Sequence, residues 1–166
     1  MGGMRRLAPF CLFPILLVLV LAQASHASTG GRAETLRASA LENAVVRQIN
    51  LIRVDRGLRP LTPSRHLTRA AATHSRAMLE GGFFAHTTPD GLSFAERVKR
   101  FYPVKGTWKV GENLAMFGRV APSARAVVQA WLDSPDHKAN LLEPSFRELG
   151  LGVGHSPNGT GEFAGM

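Results

Sequence analysis

Leu149-Gly150-Leu151-Gly152-Val153-Gly154 alternates an apolar side chain with a glycine over six residues. Two is the period of a strand, so the apolar residues share one face and the glycines the other. A strand face without Cβ atoms leaves room for the backbone of a helix or another strand to approach closely. The fold must therefore set a second element directly on this strand. Ser156-Pro157-Asn158-Gly159 reads as a hairpin turn behind it, and the return strand has only begun at Phe163 when the sequence ends at Met166. On this reading the strand has no full partner.

Upstream the periodicity is helical. Ser39 with Glu42 has the spacing of a capping box, and Leu41, Val45, Ile49 and Ile52 recur along one face until Gly57. An extended connection, Leu58 to Pro63, leads to a second helix, with Ser64 as cap, Leu67, Ala70, Ala71, His74, Ala77 and Met78 on one face, and Gly81-Gly82 as its stop. After the Pro89-Asp90-Gly91 turn, Ser93 and Glu96 repeat the capping box ahead of Phe94, Val98 and Phe101. A fourth helix starts near Pro122-Ser123, carries Ala124, Val127, Val128 and Trp131, and is broken at Pro135. Another strand is expected within Trp108 to Phe117. Helices with a few late strands predict an α+β or three-layer α-β-α arrangement.

The N-terminus has the parts of a secretory signal: Arg5 and Arg6, an apolar run from Leu7 to Ala22, and cleavage candidates at Ala22-Gln23-Ala24 and Ser25-His26-Ala27. Pro9 and Pro14 interrupt the run and no basic stop-transfer flank follows, so residues 1–27 are read as a signal peptide rather than a span. Small polar residues 28–38 read as a flexible leader, and residues 39–166 as one domain. Cys11, the single cysteine, lies inside the apolar run, so the exported chain would have neither a disulfide nor a thiolate site. The formal charge is +8, and +6 without Arg5 and Arg6. Such an excess would favour anionic envelope surfaces such as phospholipid headgroups or acidic glycans, although a basic exported protein with no specific anionic ligand is the plainer reading. The excess does not suggest nucleic acid, because the arginines are scattered and form no basic stripe interleaved with aromatics.

Three islands carry the residues capable of chemistry: Phe84-Ala85-His86-Thr87-Thr88-Pro89-Asp90-Gly91, Gly111-Glu112-Asn113-Leu114-Ala115, and Trp131-Leu132-Asp133-Ser134-Pro135-Asp136-His137-Lys138-Ala139-Asn140. Each sets a His or Glu beside a turn-making or helix-breaking residue, where a scaffold can aim it into a shared cleft. His86 follows two phenylalanines and is expected at the lip of a cavity; its plainer role is a loop histidine in solvent. Glu112 can accept from an imidazole N–H or bind a cation, or it can form a surface ion pair with Lys109. Asn113 is expected to tie the loop down. Neutral imidazole at His137 suits zinc, although a histidine at a helix start can equally be structural. His74, alone on an apolar stripe, is read as a hydrogen-bonded core residue; His66 and His155 are read as surface residues.

In order and spacing the islands resemble the CAP superfamily (cysteine-rich secretory proteins, antigen five and pathogenesis-related proteins), in particular its bacterial branch. The resemblance covers Leu41 to Met166 and implies a three-layer α-β-α sandwich, here lacking its last C-terminal strand. It also implies a cavity with two histidines and two acids. His86, Glu112 and His137 match three of these positions, but the second acid, three residues after the tryptophan, is replaced by Ser134. Asp133 is adjacent, yet neighbours on a helix point about 100° apart. Bacterial relatives commonly read Ser-Pro-Gly-His-Arg where this chain has Ser134-Pro135-Asp136-His137-Lys138, and Asp136 adds a carboxylate that can orient His137.

The resemblance implies an exported, secreted or periplasmic, non-enzymatic binding module. Its cleft of His86, Glu112, His137, Asp133 and Ser134 would take a small ligand or a weakly held divalent metal, zinc above all, on His86, His137 and Glu112. Its partners would be an envelope lipid, a glycan or an extracellular protein. The alternative is a metal-assisted hydrolase in which Glu112 acts as base toward a metal-bound water. A serine mechanism is not expected, since no Gly-x-Ser-x-Gly elbow surrounds Ser134 and Pro135 separates it from His137. A purely structural envelope role is the third possibility.

Overall fold

The computed structural model describes residues 24–118, 122–155 and 161–165, and only the backbone at 24–37, 155 and 161–165. Arg5, Arg6, Cys11 and the Leu7 to Ala22 run lie outside the described residues, as does the Ser156-Pro157-Asn158-Gly159 turn. Two compact units divide the chain, residues 1–33 and 34–166, and the fold and site below belong to the second. Among the described residues no helix is long and apolar enough to cross a membrane.

Helix α1 spans Ala24–Asp55, α2 Arg65–Gly81, α3 Phe94–Lys99, α4 Ala124–Leu132 and α5 Pro135–Leu141. The short strands are β1 (Thr62–Pro63), β2 (Asn113–Phe117), β3 (Glu148–Leu149), β4 (Leu151–His155) and β5 (Gly161–Gly165). Local chemistry sets most boundaries. Ser93 and Glu96 close both bonds of the capping box on α3, and the Ser123 hydroxyl accepts from the Ala126 N–H on α4. At the other end of α2, Gly82 takes a left-handed φ of 63° and donates its N–H to the Met78 carbonyl. Pro135 does more than break α4: it occupies the first turn of α5, where its missing N–H costs nothing.

Two expectations are corrected. Helix α1 runs through residues 28–38 and through Ser39, so Ser39 is not a helix start. Glu42 does not fold back onto it; its carboxylate reaches across the fold and accepts from the Val153 N–H at 3.0 Å. The return strand expected to be missing is present as β5, which pairs antiparallel with both β2 and β4 and so holds the centre of a β2-β5-β4 sheet. Pairing on both sides overrides the weak strand propensity of its glycines. The Gly-rich strand β4 is therefore partnered by β5, and Glu42 engages an N–H on its outer edge.

Alternation along the strands builds the layers. Leu114 packs with Ala71, Met78 and Phe83 against α2, whereas Ala115 and Leu151 join Val45, Ile49, Val127, Val128, Trp131 and Leu141 from α1, α4 and α5. The register agrees, since Leu114 and Gly152 both align with Ala164, and Ala115 and Val153 with Phe163. The sheet thus has α2 on one face and α1, α4 and α5 on the other, as the three-layer expectation requires. The glycine face is the α2 face. A Cβ on Gly152 would stand 2.5 Å from the Ala71 carbonyl carbon and the Ala72 Cα, and one on Gly154 2.5 Å from Leu79 Cδ1. Strands β1 and β3 form a separate parallel pair at the extended connection, pinned by Asn50, whose amide exchanges two hydrogen bonds with the Leu61 backbone.

Candidate functional site

His86 and Glu112 meet. The His86 Nδ1 lies 2.9 Å from Glu112 Oε1, while the other oxygen, Oε2, accepts from Arg97 Nη2 at 2.5 Å. The Glu112 side chain is fully buried and that of Arg97 nearly so, but the His86 side chain is 48% exposed, so a buried ion pair carries an imidazole that still reaches solvent. Burying a carboxylate is costly unless it is paired and hydrogen-bonded, and Arg97 meets both conditions. The surface partner considered for Glu112, Lys109, instead pairs with Glu143.

The backbone beside the imidazole is clamped from two elements. Arg97, on α3, donates from Nη1 to the His86 carbonyl at 2.5 Å. His74, on α2, donates from Nε2 to the Ala85 carbonyl at 2.9 Å. Between them they fix the turn from α2 into α3. The aromatic neighbour of the His86 ring is Phe94, in an edge-on contact at 6.4 Å; Phe83 packs into the core and Phe84 stays 43% exposed. His74 is itself buried, as the core reading expected, and burial together with the Arg97 charge pushes its pKa below the ordinary histidine value.

A second network joins the start of β2 to α5. Asn113 donates to the His137 carbonyl at 3.0 Å, and Asn140 donates to Asn113 Oδ1 at 2.9 Å and to the Glu112 carbonyl at 3.3 Å. Trp131, fully buried on α4, adds a bond from Nε1 to the Leu114 carbonyl at 3.1 Å. Asn113 thus ties the loop down, as expected, but to the helix that carries His137. That imidazole is half-buried, and burial above all lowers its pKa, with the His86 imidazole adding to the effect and the Asp136 charge opposing it.

The remaining positions behave differently. Asp133 is exposed, and its carboxylate accepts from Gln129 on its own helix at 2.8 Å rather than substituting for a second site acid. Ser134 sits at the N-cap of α5 without a side-chain bond to that helix. His66 is a surface residue edge-on to Tyr102, and the His155 side chain lies outside the described residues. Arg97 was not anticipated. Its signal is the spacing Phe94, Arg97, Phe101, which places a guanidinium on the apolar stripe of α3. Arg53 repeats the pattern after Val45 and Ile49; it is fully buried and donates to the carbonyls of Arg59, Leu141 and Glu143.

Residues 46–165 match the model of the cysteine-rich secretory protein family, CAP. The chain belongs to this family. Over 114 residues, 69% of this CAP chain and 42% of the relative, it is 35% identical to the protein YkwD of Bacillus subtilis (strain 168). It is 30% identical to the membrane protein YlbC of the same strain over 112 residues, 68% of this chain and 31% of the relative. The chain spans less than half the length of these curated relatives. Among solved structures, an extracellular protein containing an SCP domain from Bacillus anthracis str. Ames superposes with a TM-score of 0.61 at 28% identity, covering 78% of this chain and 42% of that one. An outer surface protein of Borrelia burgdorferi shares the fold at a TM-score of 0.61 and 19% identity, over 72% and 85% of the two chains.

Proposed function

We propose that this chain is an exported, non-enzymatic CAP module whose cleft holds a divalent cation weakly between His86 and His137, zinc being the ion suited to neutral imidazole. The observation that carries this reading is the bond between His86 Nδ1 and Glu112 Oε1. A carboxylate accepts, so Nδ1 is the donor, and in the neutral ring Nε2 then keeps its lone pair for a ligand, an arrangement typical of metal-binding histidines. His137 contributes a ring whose protonation is disfavoured.

Glu112 orients rather than ligates, since both its oxygens are engaged. Among the described residues no group of three His, Cys, Asp or Glu is placed to hold a metal, so water would complete the coordination and affinity would be low. The same engagement weighs against the hydrolase alternative, which needs Glu112 free to take a proton. The signal-like N-terminus and the likeness to an extracellular SCP-domain protein support export. The cationic balance makes an anionic envelope lipid or glycan the favoured partner, ahead of an extracellular protein.

Calorimetric titration of the chain with zinc chloride tests this. Binding is expected near neutral pH, to weaken by roughly tenfold on acidification to about pH 5.5 as the imidazoles protonate, and to vanish in the His86→Ala, His137→Ala double variant. Zinc binding that survives the double substitution, or ignores acid, would remove the site.

A further inference from the structure

The three residues before Glu112, Lys109, Val110 and Gly111, line a second cavity, of about 450 Å³, to which neither site histidine contributes. Its walls include Leu67, Val98 and Val104 and the rings of Tyr102, Trp108 and Phe146. That volume and apolar character belong to small-molecule sites. Beyond it lies a pocket of only about 40 Å³, sharing Gly111, Phe146 and Glu148 with the first. Room for a water or two gives no path for a long flexible chain, so a compact, flat ligand fits better than an extended one.

Charge at the mouth selects its sign. Lys99 Nζ stands 5.6 Å from the Trp108 ring centroid and Lys109 Nζ 6.0 Å from that of Phe146. Arg147 lines the cavity and donates to the Pro144 and Phe146 carbonyls. Glu143 offsets Lys109, but among the described residues neither Lys99 nor Arg147 has a carboxylate at ion-pair distance. The carboxylate that lines the cavity, Glu148, accepts from the Tyr102 hydroxyl at 3.0 Å. The balance is positive above an aromatic floor.

We propose that this cavity binds a planar aromatic monoanion, an aryl carboxylate or sulfonate, with its ring against Trp108, Tyr102 and Phe146 and its charge toward Lys99 and Arg147. This site does not depend on the histidine cleft, so zinc binding and aromatic binding can fail separately.

The probe is 8-anilinonaphthalene-1-sulfonate, followed by its own fluorescence and by the tryptophan emission of the full chain, to which Trp108 and the buried Trp131 both contribute, with uncharged N-phenyl-1-naphthylamine as comparison. Saturable one-to-one binding that quenches part of the tryptophan emission is expected, with the neutral compound bound about tenfold more weakly. Val104→Trp, which fills the cavity, should abolish binding. The surface pair Lys99→Gln with Arg147→Gln should erase the preference for the anion while leaving the thermal melt in place, and this serves if Val104→Trp does not fold. Equal affinity for the neutral compound in the wild type, or unchanged sulfonate affinity in folded Val104→Trp, would overturn the proposal.

Discussion

Replacing Gly152 by alanine adds one carbon to the face of β4 that α2 covers. That carbon would stand 2.5 Å from backbone atoms of Ala71 and Ala72, which cannot swing aside as a flexible side chain can. Relaxed carbon–carbon contact needs about 3.5–4.0 Å, so α2 must withdraw by roughly 1 Å or the sheet must bend. Withdrawal strains the buried bond from the Ser75 hydroxyl to the Gly152 carbonyl, 2.9 Å long, and loosens Ala71, His74 and Met78 against the sheet. Overpacking costs about 1–3 kcal/mol and a lost hydrogen bond about 1 kcal/mol, offset by about 0.4–1 kcal/mol from the stiffer unfolded chain. A net loss of roughly 2–3 kcal/mol is a large part of a domain stability of about 5–15 kcal/mol. Urea titration followed by far-ultraviolet circular dichroism should show a lower midpoint at an unchanged slope. Gly118→Ala, where an added Cβ meets nothing within 4 Å, is the control. A loss under about 0.5 kcal/mol at Gly152, within the range of ordinary surface substitutions, or an equal loss at Gly118, would refute the claim that α2 rests on the glycine face.

Arg97→Gln strands the Glu112 carboxylate without its guanidinium and should cost about 3–5 kcal/mol; adding Glu112→Gln should recover part of that, and a double-mutant cycle of urea midpoints measures how much. His74 has a pKa below its unfolded value, so the unfolded chain binds the proton more readily and stability rises with pH. Its contribution is complete above about pH 6.5 and is lost on acidification below it, with a slope of at most about 1.4 kcal/mol per pH unit. His74→Gln, which keeps a donor for the Ala85 carbonyl, should flatten that dependence in metal-free urea titrations, leaving a slope from His137 and one of opposite sign from Glu42, whose pKa burial raises. An unchanged slope would show that His74 does not carry the acid sensitivity.

What could be read ahead of the structure was chemistry complete within a few residues. The Ser93–Glu96 box, the helix start near Pro122-Ser123 and the helix stop at Gly81-Gly82 each rest on three or four neighbouring positions, and all three form. The glycine face of β4 was legible for the same reason: a period of two is a local property, and it demanded a close neighbour without saying which. Ser39 and Glu42 failed under the same rule because Glu42 found a better use against the Val153 N–H, 111 residues away. Strand β5 was read as a mere beginning at Phe163 because five residues bounded by glycine carry little strand signal until two neighbours pair with them.

By itself the sequence determined the start of α3 and the ends of α2 and α4, a strand face that a second element had to cover, and the family, through three islands read together in their order and spacing. Tertiary structure decided the company those residues keep. Glu112 was expected either to accept from an imidazole or to pair with Lys109; its buried carboxylate does meet the imidazole, 26 residues away, but it also binds a guanidinium 15 residues away that the sequence did not announce, while Asp133 accepts from Gln129. The physical reason is desolvation. Once Glu112 is enclosed its charge must be matched at hydrogen-bond distance, and only the packing of α3 against the loop before β2 determines that Arg97 is the group that matches it.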